Sequence, residues 1–285
     1  SFLEASDYGF VLEDIYPFTN HLSEGIENRD FLSSFFQQPD LYIRVHPGKL
    51  SGVVAKLREN GILYREINDH CLAMLNGTKL DQLFPESAGK RQFEVQDLSS
   101  QRAGDFFKPS KYDYWWDACA ASGGKSLHLY HQQNDIKLLV SDVRENILDN
   151  LDERFANAGL KTYQKKVLDL TKDPSLFIHS YQFDGIILDA PCTGSGTWGR
   201  SPELISQFET RQISTFQRLQ RMIAGNVVKF LKDGKPLVYI TCSVFDEENE
   251  ANDDYLIKTY ALKIPSMKLL KGYGKRADSM FVARL

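Results

Sequence analysis

Cys192 and Cys242 occupy the positions best suited to nucleophilic chemistry. Each closes an apolar run that reads as a strand and precedes turn residues. Asp189-Ala190-Pro191-Cys192 runs into a glycine-rich stretch ending at Gly199, and Thr241-Cys242-Ser243 runs into Asp246-Glu247-Glu248-Asn249-Glu250. A cysteine met singly is more often a small buried hydrophobe, and that reading suits Cys71 and Cys119. It is weaker for two cysteines that both end strands, because open α/β sheets bind ligands at the carboxyl ends of their strands. A thiol of ordinary pKa, about 8.5, is only a few per cent thiolate at neutral pH, so a nucleophilic role calls for a helix N-terminus or a cationic neighbour.

A second constellation is Asp117-Ala118-Cys119-Ala120-Ala121-Ser122-Gly123-Gly124-Lys125-Ser126. Small residues and paired glycines let the backbone approach a ligand and turn into a helix N-terminus. Gly124-Lys125-Ser126 matches the end of a phosphate-binding P-loop, but that motif needs a glycine five positions before Gly124, where Cys119 stands. A nucleoside ligand without a phosphate chain fits better. Asp142, after the next strand, is placed for ribose hydroxyls or caps the following helix. Asp169, after the third strand, either caps or accepts from an adenine amino group. Together the loop from Cys119 through Lys125, Asp142 and Asp169 make an ordered set for S-adenosylmethionine. No cysteines have CxxC spacing, and no metal site is expected.

The elements that must hold these residues follow from the apolar pattern. Strands are expected over 114–118, 137–141, 165–168, 183–188, 236–241 and 279–283, with helices near 124–131, 144–158, 202–231 and 247–258. That alternation predicts a mostly parallel sheet with helices on both faces. Upstream, helical pieces break at Pro17 and around Ser23, and Phe31, Leu32, Phe35 and Phe36 form an apolar face that stops before Pro39. Residues 41–45 read as a strand, Pro47-Gly48 as a turn, and Leu50, Val53, Val54 and Leu57 as one face of a helix closed by Asn60-Gly61. The expected division is a helical arm over 1–40, a small α+β unit over 41–112 and an α/β domain over 113–285.

The 285 residues are 42% hydrophobic and 25% charged, enough to bury a core and too apolar for disorder. No run approaches the roughly 18 apolar residues of a membrane span, and no basic segment leads into an apolar one at the start. A cytoplasmic protein with reduced thiols and no membrane partner is expected. Charge is uneven: eight acids against one base in 1–41, eleven bases against eight acids in 42–112, and twenty-two of each thereafter. Arg44, Lys49, Lys56, Lys90, Arg91, Arg102, Lys108 and Lys111 can line a phosphate path, and for each a plain solvated surface is an equal expectation.

DACAASGGKS (117–126), LDAPCTGSGTWGRSPE (188–203) and YITCSVFDEENE (239–250) resemble successive motifs of the RsmB-type (Sun/Fmu) RNA 5-methylcytosine methyltransferases. Residues 41–45 with their helix, and 93–100, resemble that family's RNA-binding unit and its junction; 278–283 resemble its last strand. The likeness covers roughly 40–285. It implies a Rossmann-like S-adenosylmethionine-dependent methyltransferase domain behind a smaller N-terminal α+β RNA-binding domain. It also implies Cys242 as the nucleophile and Cys192 as the residue that assists product release. Carbon 5 of cytosine is a poor nucleophile. A thiolate adding to carbon 6 pushes electron density onto carbon 5, which can then attack a sulfonium methyl. Asp189 suits polarisation of the ring at nitrogen 3 or oxygen 2. DNA cytosine methyltransferases use the cysteine of Pro-Cys instead, so Pro191-Cys192 alone would mislead.

One departure stands out: Ser122 occupies a position where the family usually carries proline, and cofactor binding is expected to survive it. Trp198 and Arg200 are candidates to stack on or clamp an RNA strand. Glu247 and Glu248 read first as acids in a helix's first turn. The expected partner is RNA, rRNA ahead of tRNA, bound by a monomer, with the target base opened out of any helix. The alternative is a catalytically weak relative that binds RNA as an assembly factor.

Overall fold

The computed structural model describes residues 11–84, 91–178, 180–263 and 266–285. Two short 3-10 turns, Leu12–Ile15 and Thr19–His21, lead into α1 (Asn28–Ser34). Then come β1 (Leu41–Val45), α2 (Leu50–Glu59), β2 (Tyr64–Asn68), β3 (Cys71–Met74), β4 (Phe93–Val95) and α3 (Leu98–Ala103). The remainder alternates: β5 (Tyr114–Asp117), α4 (Gly124–Gln132), β6 (Lys137–Asp142), α5 (Glu145–Ala158), β7 (Gln164–Val167), α6 (Ser175–Ile178), β8 (Gly185–Asp189), α7 (Leu204–Gln207), α8 (Arg211–Val228), β9 (Leu237–Thr241), α9 (Glu250–Tyr260), β10 (Ser266–Leu270) and β11 (Met280–Arg284).

Among the described residues the strands form two sheets, a four-stranded antiparallel one ordered β2-β3-β1-β4 and a seven-stranded one ordered β10-β11-β9-β8-β5-β6-β7. In the larger sheet β5 pairs in parallel with both β6 and β8, and β8 with β9, whereas β11 runs antiparallel to β9 and to β10. Strand order reverses between β5 and β8, and a crevice opens at such a switch point. Successive strand residues point to opposite faces, and the core divides accordingly. Trp116, Ile186, Leu188 and Tyr239 pack against Ile223, Ala224 and Val227 of α8. Trp115, Ile187, Val238 and Ile240 pack with Leu127 of α4 and Leu148, Leu151 and Phe155 of α5.

Three expectations are corrected. Residues 202–231 are not one helix: the chain leaves it between α7 and α8, where Phe208 stacks on Phe245 with ring centroids 5.6 Å apart. Trp198 is 2% exposed and cannot stack on an RNA strand. It is buried with Tyr16, Phe18 and Phe31, so aromatic residues of the N-terminal arm cover it. The phosphate path is also thinner than the basic residues suggest. Arg44 is buried, donating to Gln96 at 2.7 Å; Lys56 lies over the Phe84 ring, and Lys111 pairs with Asp135. Lys49, Arg102 and Lys108 are exposed, and Lys90 lies outside the described residues, as do the first ten.

The two sheets meet across buried charge. Glu94 on β4, 0% exposed, accepts from Arg154 of α5 at 2.6 Å and contacts His46 at 3.1 Å, while Arg44 contacts His131 of α4 at 2.7 Å. Burial, then Arg44 and His46, hold His131 down at about 3. Burial would raise Glu94, but His46 and Arg154 outweigh it and hold the carboxyl at about 2. The unfolded chain therefore takes up protons that the folded protein refuses, at His131 below about pH 6.5 and at Glu94 below about 4.5. Stability is expected to fall as pH drops through 6.5 towards 3. In His131→Gln the slope of unfolding free energy against pH between 6.5 and 4.5 should flatten by up to about 1.4 kcal/mol per pH unit. Urea unfolding at several pH values reads this, and an unchanged slope would contradict the buried-histidine account.

Candidate active site

The loop after β5 is held in a shape its residues do not favour. Ala121 sits at φ +47°, left-handed for a residue with a Cβ, and Gly123 at φ +79°. A Cβ at Gly123 would lie 2.3 Å from the Phe155 ring, so α5 packs directly beneath the turn and only glycine fits. The Asp142 carboxylate accepts from the Ala121 amide at 3.0 Å and from the Arg144 amide and guanidinium at 2.9–3.1 Å. Burial pushes the Asp142 carboxyl up, but these bonds prevail and hold it below the usual carboxylate range. Asp142 does not cap the following helix, whose N-cap is Arg144, because its carboxylate is engaged by the Ala121 amide and by Arg144; it is the brace of the loop. Asp169 accepts from the amide and hydroxyl of Thr171 and pairs with Lys172, an Asx-type turn at the mouth of the site.

Asp189 at the end of β8 receives Lys125 at 2.5 Å. Burial lowers the Lys125 ammonium, but Asp189 overrides it and the pKa is raised, with smaller contributions from Asp117 and Cys242. A fixed cation therefore stands beside the candidate nucleophile, as a thiolate needs. The Cys192 and Cys242 sulfurs are 3.2 Å apart. They meet because β8 and β9 are neighbours in the sheet and each cysteine follows its strand's end. The hydrogen bond to Cys242 and burial push the Cys192 thiol well up, so Cys192 stays protonated at neutral pH.

Two cavities share this corner. One, about 440 Å³, is walled by Asp142, Asp169, Cys192, Cys242, Leu219 and Ile223. The other, about 300 Å³, is walled by Asp117, Ala120, Ser122, Gly124, Lys125 and Arg154, and both include Cys119, Ala121 and Asp189. Every expected site residue therefore faces one cavity or the other except Gly123, whose part is the turn. Asp117 keeps one buried carboxylate oxygen without a hydrogen-bond partner, and burial raises its carboxyl to about 7. An unpartnered acceptor beside a glycine loop suits a ligand carrying an amino group, and the acids at the far end suit hydroxyls. Leu219 and Ile223, which give the larger cavity its apolar wall, lie on α8 and carry no motif that sequence could single out.

Glu248 is not a solvated helix-start acid. It is 0% exposed and accepts from the Thr193 amide at 3.0 Å, the Thr193 hydroxyl at 2.5 Å, the Ser243 hydroxyl at 2.5 Å and Gln220 at 2.8 Å. Thr193 follows Cys192 and Ser243 follows Cys242, so one carboxylate ties both cysteine loops. Burial raises its carboxyl against those bonds. Glu247, by contrast, reaches out to His21 of the arm at 2.5 Å. The arm also braces the loop after Cys242, through Ser23 to Val244 at 2.8 Å and Asn249 to Ser23 at 2.8 Å. Arg200 is held by Asp97 and Asp278, both at 2.8 Å, which fixes a junction rather than leaving a free clamp.

A family model described as 16S rRNA methyltransferase RsmB/F matches residues 105–282. The chain belongs to this family. A ribosomal RNA small subunit methyltransferase B of Salmonella arizonae is 33% identical over 200 residues, covering 67% of this chain and 46% of that protein. The chain thus spans about half the length of the curated relatives it matches. Among solved structures, PH0851 superposes with a TM-score of 0.79 at 28% identity over 92% of this chain and 62% of that one. NSun6 from Pyrococcus horikoshii, solved with SFG, gives 0.78 at 19% identity over 90% of this chain and 93% of that one. The Rossmann-like methyltransferase fold read from the sequence is the fold observed.

Glu248→Ala should remove a carboxylate and strand four donors, costing at least about 2 kcal/mol of stability. Glu248→Gln, which keeps the shape, should lose less. Denaturant unfolding measures both, and an alanine variant as stable as the parent would remove Glu248 from its place between the loops.

Proposed function

We propose that this protein is an S-adenosylmethionine-dependent RNA cytosine-5 methyltransferase, acting on rRNA through a transient bond between Cys242 and the target base. The observation that carries this reading is the thiol pair at 3.2 Å in the wall of a cavity shared with Asp142, Asp169 and Asp189. The family's description, 16S rRNA methyltransferase, favours rRNA over tRNA. Among the described residues no helix is long and apolar enough to cross a membrane.

Asp142 and Asp169 would hold the sugar and base of S-adenosylmethionine, and Cys119, Ala120, Ala121, Ser122, Gly124 and Lys125 its amino-acid part. When bound there it supplies an electrophilic methyl group on sulfonium. The protein's own work lies around the pyrimidine. Cys242 loses its proton to solvent and adds to carbon 6 as the thiolate, helped by the positive charge of Lys125. Asp189 serves the ring at nitrogen 3 or oxygen 2 by passing on the proton that Lys125 donates to it. Once the Cys242 sulfur is bonded to carbon, the hydrogen bond that raises Cys192 most is gone. Burial and the charge of Glu248 still hold the Cys192 thiol up, but without its largest cause the thiol releases its proton to solvent more easily. That is the stage at which a base is needed for the carbon 5 proton before Cys242 is expelled. In this reading residues 41–112 guide the RNA, with exposed Lys49, Arg102 and Lys108 as phosphate contacts.

Transfer of labelled methyl groups into rRNA tests the assignment. Cys242→Ala should abolish incorporation, a loss of at least about 1000-fold, as expected when a covalent nucleophile is removed. Cys192→Ala should leave an RNA–protein adduct that survives a denaturing gel. The reverse pattern would exchange the two roles, and RNA binding without any methyl transfer by the unaltered protein would favour an assembly factor.

A further inference from the structure

The position where the sequence departs from its family's motif carries a contact of its own. Arg154 of α5 donates from Nη1 to the Ser122 hydroxyl at 3.0 Å and to the Ser122 carbonyl at 3.4 Å, while its Nε donates to Glu94 at 2.6 Å. Proline has no hydroxyl to offer there. Both terminal nitrogens of the guanidinium also lie 3.5 Å from where a Gly124 side chain would begin, so the planar group rests on the glycine turn itself. Glu94 is fully buried on β4 and belongs to the other sheet. A backbone bond from the Arg91 amide to the Asn157 carbonyl, 3.2 Å, runs parallel to this link.

We propose that Glu94, Arg154 and Ser122 form a relay through which the four-stranded sheet positions the glycine loop, making Arg154 and Ser122 determinants of methyl-donor affinity. The proposal rests on the reading of that loop as the S-adenosylmethionine site. Ala121 holds a left-handed conformation that costs a residue with a Cβ roughly 1–3 kcal/mol and persists only when its surroundings enforce it. Two ties meet at this point. Asp142 fixes the Ala121 amide from the β6 side, and Arg154 fixes the next residue from the β4 side. The fork of the guanidinium is what allows one side chain to serve both a carboxylate and a hydroxyl. Lysine would keep the charge and lose one arm. The smaller cavity lies between the two units, walled by Gln96 and Asp97 on one side and Ser122 and Lys125 on the other. A loop allowed to relax would change the shape of that wall.

The test is calorimetric titration of the full chain with S-adenosylmethionine, beside steady-state kinetics on rRNA. Arg154→Met and Ser122→Ala should each weaken donor binding, by about tenfold for the charged partner, the size of one hydrogen bond to a charged group. Ser122→Ala deletes only a hydroxyl, so it reads the contact without threatening the fold. Ser122→Thr, which keeps the hydroxyl, should bind within about twofold of the parent. The double variant Ser122→Ala/Arg154→Met should be little weaker than Arg154→Met alone, since both remove one interaction. The KM for the donor should rise by more than kcat falls, which a loss of overall stability would not produce. Donor affinities of Ser122→Ala and Arg154→Met within twofold of the parent, or effects that simply multiply, would overturn the relay and leave the functional reading intact. An unaltered protein that binds no S-adenosylmethionine would overturn the functional reading, and the relay's ligand role with it.

Discussion

A carboxylate with no access to water must find donors or be neutralised, and Glu248 finds four. Two come from Thr193, one from Ser243 and one from Gln220. Because Thr193 and Ser243 are the residues after the two cysteines, satisfying this one buried charge fixes the spacing of the sulfurs. Ser195 extends the arrangement, contacting Ser243 at 3.1 Å and accepting from the Val244 amide at 3.0 Å. A parallel sheet brings the ends of β8 and β9 side by side, but only to within a loop's freedom. The buried network removes that freedom. Removing any donor would leave a polar group unpaired in a medium that does not forgive it.

The glycine loop obeys the same logic with different charges. Its left-handed Ala121 is pinned by Asp142 and its Ser122 by Arg154, and each pin is itself held, by Arg144 and by Glu94 respectively. The carboxyl of Asp189 is likewise engaged by Lys125. The corner where the two cavities meet is thus assembled from ion pairs that lie partly out of water. There an electrostatic contact is stronger than at the surface, and its loss is dearer.

Much of this was legible in the sequence, for identifiable reasons. β5, β6, β8 and β9 are short apolar runs, the first three ending in Asp. These strands and the polar β7 (QKKV) all end within two residues of the sequence reading, so the loops that carry Cys119, Asp142, Asp189, Cys192 and Cys242 follow. β10 escaped because an edge strand faces water and contains Lys268 and a half-exposed Met267, which erases the apolar run. Arg44 misled because the alternation in β1 implies one wet face. That face is covered by the other sheet's helices, and the arginine is buried there. Glu248 and Arg154 were invisible for a related reason. A short-range pattern places an acid at a helix start or a base on a helix face, and only tertiary packing decides whether water reaches it. The arm's aromatic residues were likewise readable as a helix face but not as a lid over Trp198.

That arm has a consequence for how the molecule comes into being. Tyr16, Phe18 and Phe31 precede by some two hundred residues the surface they cover, which is built from Trp198, Ile213 and Phe245. Until that surface emerges, the nascent chain carries a cluster of sticky rings with nothing to sit on. Contacts of such long sequence separation form late and slowly. The loop behind Cys242 therefore acquires its last support only when the arm and that surface meet, and a chain in which they have not yet met would hold its two sulfurs in an unfinished frame.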